Sequence, residues 1–202
     1  MPRLKLTLAY VGTHYRGWQI QAWKDRPHPP TVQAELEKAV SYVAGVPTHV
    51  QGAGRTDSGV HADGQVAHCD VPEAKAGLDW QRALNTRLPR DIRVMDARLA
   101  ADDFDACFSV VRKAYTYRLW LDMRCTPFVW TCGPLDLARL DAAIPHLLGT
   151  HDFRSLQNAG TDIKTTVRTV YAIERTPAGD LPPECRELSL RFESNGFLKQ
   201  MV

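Results

Sequence analysis

Leu4, Leu6, Leu8 and Tyr10 alternate with polar or small residues near the start of the chain, and this two-residue period recurs along it. Tyr115, Tyr117, Leu119 and Leu121 repeat the pattern, as do Leu188, Leu190 and Phe192. A period of two sends neighbouring side chains to opposite faces of a strand, so each segment has one apolar face that something must cover. Segments of helical period lie between them. Thr31 stands as an N-cap before Val32, Leu36, Val40 and Val43, with Gly45 as the stop. Asp79 precedes a short helix over Trp80 to Leu88. Asp136 precedes Leu137, Leu140, Ile144 and Leu147, where Pro145 kinks or ends the helix. Further strands are expected over Gln65 to Val71, from Ile92 and Val94, and over Val167 to Glu174. Strands that follow one another directly, with helices interspersed, predict the α+β class. The expected architecture is two similar α+β halves, 1–103 and 104–202, with mostly antiparallel sheets side by side and a central cleft. After Asn195-Gly196, Phe197 to Val202 reads as the start of a helix, so the second half is expected to be truncated at its C-terminal end.

Between the strand entered near His49 and the strand from Gln65 runs Gly52-Ala53-Gly54-Arg55-Thr56-Asp57-Ser58-Gly59-Val60-His61-Ala62. One reading is a chemical centre. Glycine lets backbone or ligand approach closely, and a neighbouring guanidinium favours the ionised, nucleophilic form of Asp57. The other reading is a tight turn whose Asp caps its own backbone and pairs with Arg55 on the surface. Residue spacing alone leaves both open.

Several chemistries are argued against. Asp57 replaces the last glycine of a dinucleotide fingerprint, and Gly59 is followed by Val60-His61 where a phosphate loop needs Lys and Ser or Thr. There is no G-x-S-x-G elbow and no H-E-x-x-H. A paired-carboxylate glycosidase would need a partner for Asp57, and nothing marks Asp63 for that role. His61 and His68 are seven apart with no helical pattern to bring them together, and the cysteines at 69, 107, 125, 132 and 185 form no C-x-x-C pair. Neither a metal site nor a cofactor is expected, and the thiols suit a reducing compartment. No segment reads as a membrane span or a signal peptide, which argues for a cytoplasmic protein.

The formal net charge is only +2, so the overall balance does not announce a polyanion partner. Distribution is more telling, because Arg82, Arg87, Arg90, Arg93, Arg98, Arg112, Lys113 and Arg118 fall close together. A basic face and a solvated mixed surface both fit this spacing.

The string Arg55-Thr56-Asp57-Ser58-Gly59-Val60-His61-Ala62 closely resembles the signature of the tRNA pseudouridine synthase A family. Other blocks resemble the family in the same order: Tyr10-Val11-Gly12-Thr13, Gly17-Trp18-Gln19-Ile20-Gln21, Thr31-Val32-Gln33 with Leu36-Glu37, and Ala83-Leu84-Asn85 with Leu88-Pro89-Arg90-Asp91-Ile92. Phe104-x-Ala106, Lys113-x-Tyr115-x-Tyr117, His151-Asp152-Phe153, Arg168-Thr169-Val170 and Phe197-Leu198-x-x-Met201-Val202 complete the series. Two departures stand out. Val11 occupies a position where the family usually has Asp, and Cys107 one where it usually has Arg.

The resemblance implies isomerisation of uridine to pseudouridine in the anticodon stem-loop of tRNA, at positions 38 to 40, without cofactor or metal. It implies Asp57 as the catalytic carboxylate, attacking either C1′ of the ribose or C6 of the uracil. Arg55 is expected to pair with that carboxylate or to fill the place of the extracted base. Tyr115 is expected against the flipped uracil, where an aromatic face suits a base. Lys113, Arg118 and Arg168 are candidate RNA contacts, although a structural salt bridge suits Arg168 equally. His61 is expected to shape the loop by hydrogen bonds, and Trp18 to serve as core or loop anchor. The resemblance further implies a homodimer, and a chain shorter than the family norm at its C-terminal end. Cys107 and the missing end motivate an alternative, a catalytically impaired RNA-binding module. A third reading, a hydrolase using Asp57, would release free uracil.

Overall fold

The computed structural model describes residues 1–21, 29–122, 126–160, 163–177 and 187–202; Cys125 and Cys185 lie outside them. The chain forms two compact units, Met1–Val110 and Val111–Val202. The sequence puts the division at 103/104, and the difference has a local cause. Arg3 Nη1 donates to the Phe104 carbonyl at 2.8 Å, and the Ala106 N–H donates to His68 Nδ1 at 3.0 Å. Residues 104–106 therefore fold back onto the first unit's sheet.

In the first unit the opening alternation becomes β1 (Arg3–Tyr10), with Leu4, Leu6, Leu8 and Tyr10 all buried. α1 (Val32–Ala44) starts at Thr31, whose Oγ1 accepts from the Ala34 N–H at 3.3 Å, and ends at Gly45 in the left-handed region. After β2 (Gln51–Gly52) and β3 (Ala62–Asp70), α2 (Trp80–Asn85) is capped by Asp79, and β4 (Ile92–Ala100) closes the unit. α2 stops short of Leu88, because Pro89 disfavours helix at the residue before it and Thr86 to Leu88 turn instead. The sheet order is β2-β3-β1-β4, antiparallel throughout. Leu36 and Val40 of α1, with Trp80 and Leu84 of α2, pack on the buried face of β1. Each fully buried side chain of this kind contributes about 1.5–3 kcal/mol. The β1–β3 register slips between Leu8 and Tyr10, giving β3 an extra residue where it leaves the glycine-rich loop. Bulges of this kind bend a strand and re-aim what it carries.

The second unit contains β5 (Lys113–Trp120), β6 (Trp130–Thr131), α3 (Leu137–Ala143), β7 (Gly149–Asp152), β8 (Val167–Thr176) and β9 (Glu187–Ser194). Its sheet order is β6-β5-β9-β8-β7, with β5–β6 parallel and the other pairs antiparallel. Asp136 caps α3, and at Pro145 the helix gives way to a 3₁₀ turn over Ile144–Leu147. Helices and mainly antiparallel sheets in both units make this an α+β protein. Two expectations fail here. Tyr117, on the face of β5 that the alternation marks as apolar and covered, is 41% exposed, its ring meeting Trp130 edge-on. Phe197 to Val202 does not start a helix. Ser194 Oγ binds both the N–H and the carbonyl of Gly196, and Gln200 takes a φ of 61°. Leu198 is drawn into a small core with Phe153 and Val170, so the apolar spacing serves separate contacts rather than one helix face.

Candidate active site

Asp57 lies on the loop between β2 and β3, and the residues on both sides of it are tied to the connection that follows β1. The connection from β1 to α1 opens with a 3₁₀ turn over Gly12–His14, and its residues Tyr15 and Trp18 bond to the loop on either side of Asp57. The Trp18 N–H donates to the Thr56 carbonyl at 3.0 Å. The Gly59 N–H and Ser58 Oγ both donate to the Tyr15 carbonyl, at 3.2 and 3.3 Å. The Gly12 N–H donates to His61 Nδ1 at 3.2 Å, so His61 shapes the loop as expected. Tyr10 and Thr56 join their hydroxyls at 2.8 Å. Trp18, 3% exposed, packs its indole against Gly52 and acts as a loop anchor rather than a base platform. The underlying segment is itself fixed, since the buried Tyr15 hydroxyl donates to Asp91 at 2.8 Å and burial raises its pKa well above the usual phenol range.

The candidate reactive side chains themselves are left exposed. Asp57 and Arg55 are both exposed, and Asp57 commits only its backbone carbonyl, which accepts from the Val60 N–H at 3.2 Å. Among the described residues neither the Asp57 carboxylate nor the Arg55 guanidinium has a hydrogen bond or ion pair. The surface pairing of Arg55 with Asp57 is thus not the arrangement present.

In the second unit, Lys113 and Tyr115 stand two apart on β5 and share a face, whereas Arg118 falls on the opposite face. Lys113 pairs in register with Ser194. The Tyr115 ring meets Phe197 edge-on, with centroids 4.9 Å apart. Arg168 donates to the carbonyls of Thr165 and Val167 and lies alongside Gly196, 3.6 Å from where a Cβ would stand. No ion pair involves Arg168 among the described residues. Lys113, Tyr115 and Arg168 therefore converge on the Ser194–Leu198 turn. Phe197 is the residue the sequence reading missed in this cluster, since its apolar spacing pointed to a helix and gave no hint of Tyr115.

A second group of titratable side chains in the first unit lies at the Arg3 end of β1. There a hollow of about 430 Å³ is bordered by Arg3, His49, Gln51, His68 and Asp105, none of them a sequence candidate. Burial, and secondarily the Arg3 charge, holds the His68 imidazole below its ordinary value, which suits a ring whose Nδ1 accepts a hydrogen bond. Arg3 binds Asp70 at 2.9 and 3.1 Å and lowers its carboxyl pKa. Asp105 accepts from the Cys107 and Phe108 N–H groups at 2.7 and 2.9 Å, leaving Cys107 exposed at the turn. Burial pushes the Cys69 thiol up to about 12, so it stays protonated. Among the described residues no group of three His, Cys, Asp or Glu side chains could hold a metal, and no helix is long and apolar enough to cross a membrane.

Comparison with known proteins gives a consistent picture. A family model described as tRNA pseudouridine synthase matches residues 7–109 and 143–202. A tRNA pseudouridine synthase A from Oleidesulfovibrio alaskensis is 53% identical over 221 residues, covering 100% of this chain and 80% of that protein. One from Lawsonia intracellularis is 53% identical over 208 residues, covering 100% of this chain and 81% of its own length. A tRNA pseudouridine synthase A 1 from Bacillus cereus is 43% identical over 208 residues, again covering 100% of this chain and 80% of the relative.

Proposed function

The chain belongs to the tRNA pseudouridine synthase family, and from that premise we propose that it isomerises uridine to pseudouridine in the anticodon stem-loop of tRNA with Asp57 as nucleophile. The observation that carries the role of Asp57 is its placement: an outward, uncommitted carboxylate on a loop whose neighbouring residues are both pinned. Asp57 attacks C1′ of the ribose or C6 of the uracil. The N1–C1′ bond breaks, the uracil turns, a C5–C1′ bond forms and the bond to Asp57 breaks, which restores the carboxylate; C5 loses a proton and N1 carries one in the product. Substrate and product contain the same atoms, so no co-reactant is required.

The exposed carboxylate gains its dry surroundings from the RNA. A uridine drawn from its stack onto Asp57 would displace water there and strengthen every charge interaction at the reacting atoms. Arg55, unpaired with Asp57, would occupy the gap the base leaves. Tyr115 offers a ring face for stacking, worth about 1–3 kcal/mol per base. Lys113 on β5 and Arg168 on β8 flank the same Ser194–Leu198 turn as Tyr115 and would hold phosphate, which positions RNA without reading sequence. Arg118, on the other face of β5, would meet a different part of the backbone. Action as a cytoplasmic homodimer belongs to the same proposal.

Pseudouridine mapping of tRNA incubated with the protein and with Asp57→Ala tests it. The expected result is modification in the anticodon arm by the parent and none by Asp57→Ala, with tRNA affinity kept. An active Asp57→Ala protein overturns the assignment. Salt-dependent tRNA binding without product from the parent itself favours the impaired-binding-module reading, and release of free uracil favours the hydrolase.

A further inference from the structure

We infer that the β1–α1 connection, through Gly17 and Tyr10, is the positioning device for Asp57, and that its contacts set the turnover of the reaction rather than the affinity for tRNA. The inference rests on the proposed role of Asp57. Thr56 on one side of Asp57 and Ser58 with Gly59 on the other each bond to this connection, while the Asp57 carboxylate makes no hydrogen bond or ion pair with it. The approach is closest at Gly17. With φ at 85°, it turns the chain so that a Cβ there would stand 2.4 Å from the Thr56 carbonyl oxygen and 3.1 Å from the Asp57 carbonyl carbon. Any side chain at residue 17 must push the backbone of the nucleophile itself. Gly12 plays the same part at the far end of the loop, where a Cβ would stand 2.0 Å from the Val60 carbonyl oxygen. Tyr10 adds a finer control, since its hydroxyl meets Thr56 Oγ1 at 2.8 Å from the last position of β1, beside the register slip. A nucleophile must be held within a fraction of an ångström of its line of attack, and a misplacement of about 1 Å can cost about 100-fold in rate. Phosphate and stacking contacts made elsewhere on the protein are untouched by such a shift.

Gly45 supplies a matched control. Its φ is 78°, close to that of Gly17, yet a Cβ there meets nothing within 4 Å. Gly17→Ala and Gly45→Ala therefore carry the same left-handed strain, and only the first collides with the loop.

The experiment measures kcat, KM and tRNA affinity for Tyr10→Phe, Gly17→Ala, Gly45→Ala and Asp57→Ala beside the parent, with thermal melts of each. The expected result is a kcat lowered about 100-fold in Gly17→Ala and roughly fivefold in Tyr10→Phe, as loss of one hydrogen bond implies. KM and tRNA affinity should stay within about twofold, and Gly45→Ala should keep the parent's kcat. Tyr10→Phe removes one oxygen and keeps the ring, so it decides the matter even where Gly17→Ala does not fold. Overturning results are a Tyr10→Phe kcat equal to the parent's, a loss that appears in KM instead, or an equal loss in Gly45→Ala. An active Asp57→Ala enzyme overturns the underlying assignment, whereas an inactive Asp57→Ala beside a fully active Tyr10→Phe overturns the positioning role alone.

Discussion

Leu4, Leu6, Leu8, Leu36, Val40, Trp80, Leu84 and Ile92 all belong to a single core in the first unit. In the second unit, Leu119, Leu188 and Leu190 belong to one small cluster and Phe153, Val170 and Leu198 to another. The proposed functions differ in the same sense. The first unit carries a nucleophile, whose demand on geometry is severe, and ties its loop to a connection that leads straight out of the core. The second unit offers cations and an aromatic face, contacts that tolerate larger displacements because Coulomb attraction falls off gently with distance and stacking accepts offset arrangements.

The largest effect should come from core truncation. Leu6→Ala should cost the first unit about 3–5 kcal/mol, near the upper end for a Leu that cannot be refilled by its neighbours. Leu119→Ala, in a small cluster that can close over the gap, should cost about 2 kcal/mol. Hydrogen exchange of the β1 and β5 amides reads each unit separately, and equal losses would break the comparison.

Next in size is Tyr15→Phe. It removes the buried hydroxyl that donates to Asp91 at 2.8 Å, and a hydrogen bond to a charged partner contributes about 1.5–3 kcal/mol. Denaturant unfolding should register that loss. A neutral outcome would mean that the connection under Asp57 is held by its backbone bonds alone.

Phe197→Ala should act more mildly, on the second unit's side of the reaction. An edge-on aromatic pair contributes about 0.5–1.5 kcal/mol, so kcat/KM should fall roughly 2–10-fold as Tyr115 loses its support. A fall as deep as that of Gly17→Ala would erase the contrast between a strictly held nucleophile and a tolerant base platform.

The smallest effect is in pH dependence, and it separates the units by where it begins. The folded pKa of His68 lies below the ordinary 6.5, so its contribution is complete above that pH. Below it the unfolded chain takes up the proton first, and stability declines as pH falls towards the folded value. Asp141 is held below the ordinary 3.8, chiefly by its hydrogen bonds with Arg175. Its contribution is complete above 3.8 and is lost only as pH drops further. Between these values the Ala106 amide, which donates to His68, should lose exchange protection while the second unit keeps its own. His68→Asn should flatten that response; an unchanged Ala106 profile from pH 7 to 5 would contradict it.

Where a residue's partners are near in sequence, or where burial is periodic, the reading from sequence holds. Thr31, Asp79 and Asp136 cap the helices they precede, because capping joins residues three apart. The alternation of β1 is legible because one face of a central strand must be dry. The short strands β2, β6 and β7 carry too few residues to display a period. Phe197 to Val202 misleads for the complementary reason, since its spacing matches a helix while its contacts lie with Phe153, Val170 and Tyr115.

The candidate site divides in the same way. That Asp57 sits on a glycine-rich turn beside Arg55 is written in the chain, because backbone freedom and charge are properties of the residues themselves. That the two do not pair, that Tyr10, Gly12, Gly17 and Trp18 grip the loop, and that Phe197 braces Tyr115 are decided only by tertiary structure. Contacts between residues far apart in sequence depend on how strands stack and turn, and composition and spacing carry no record of those distances.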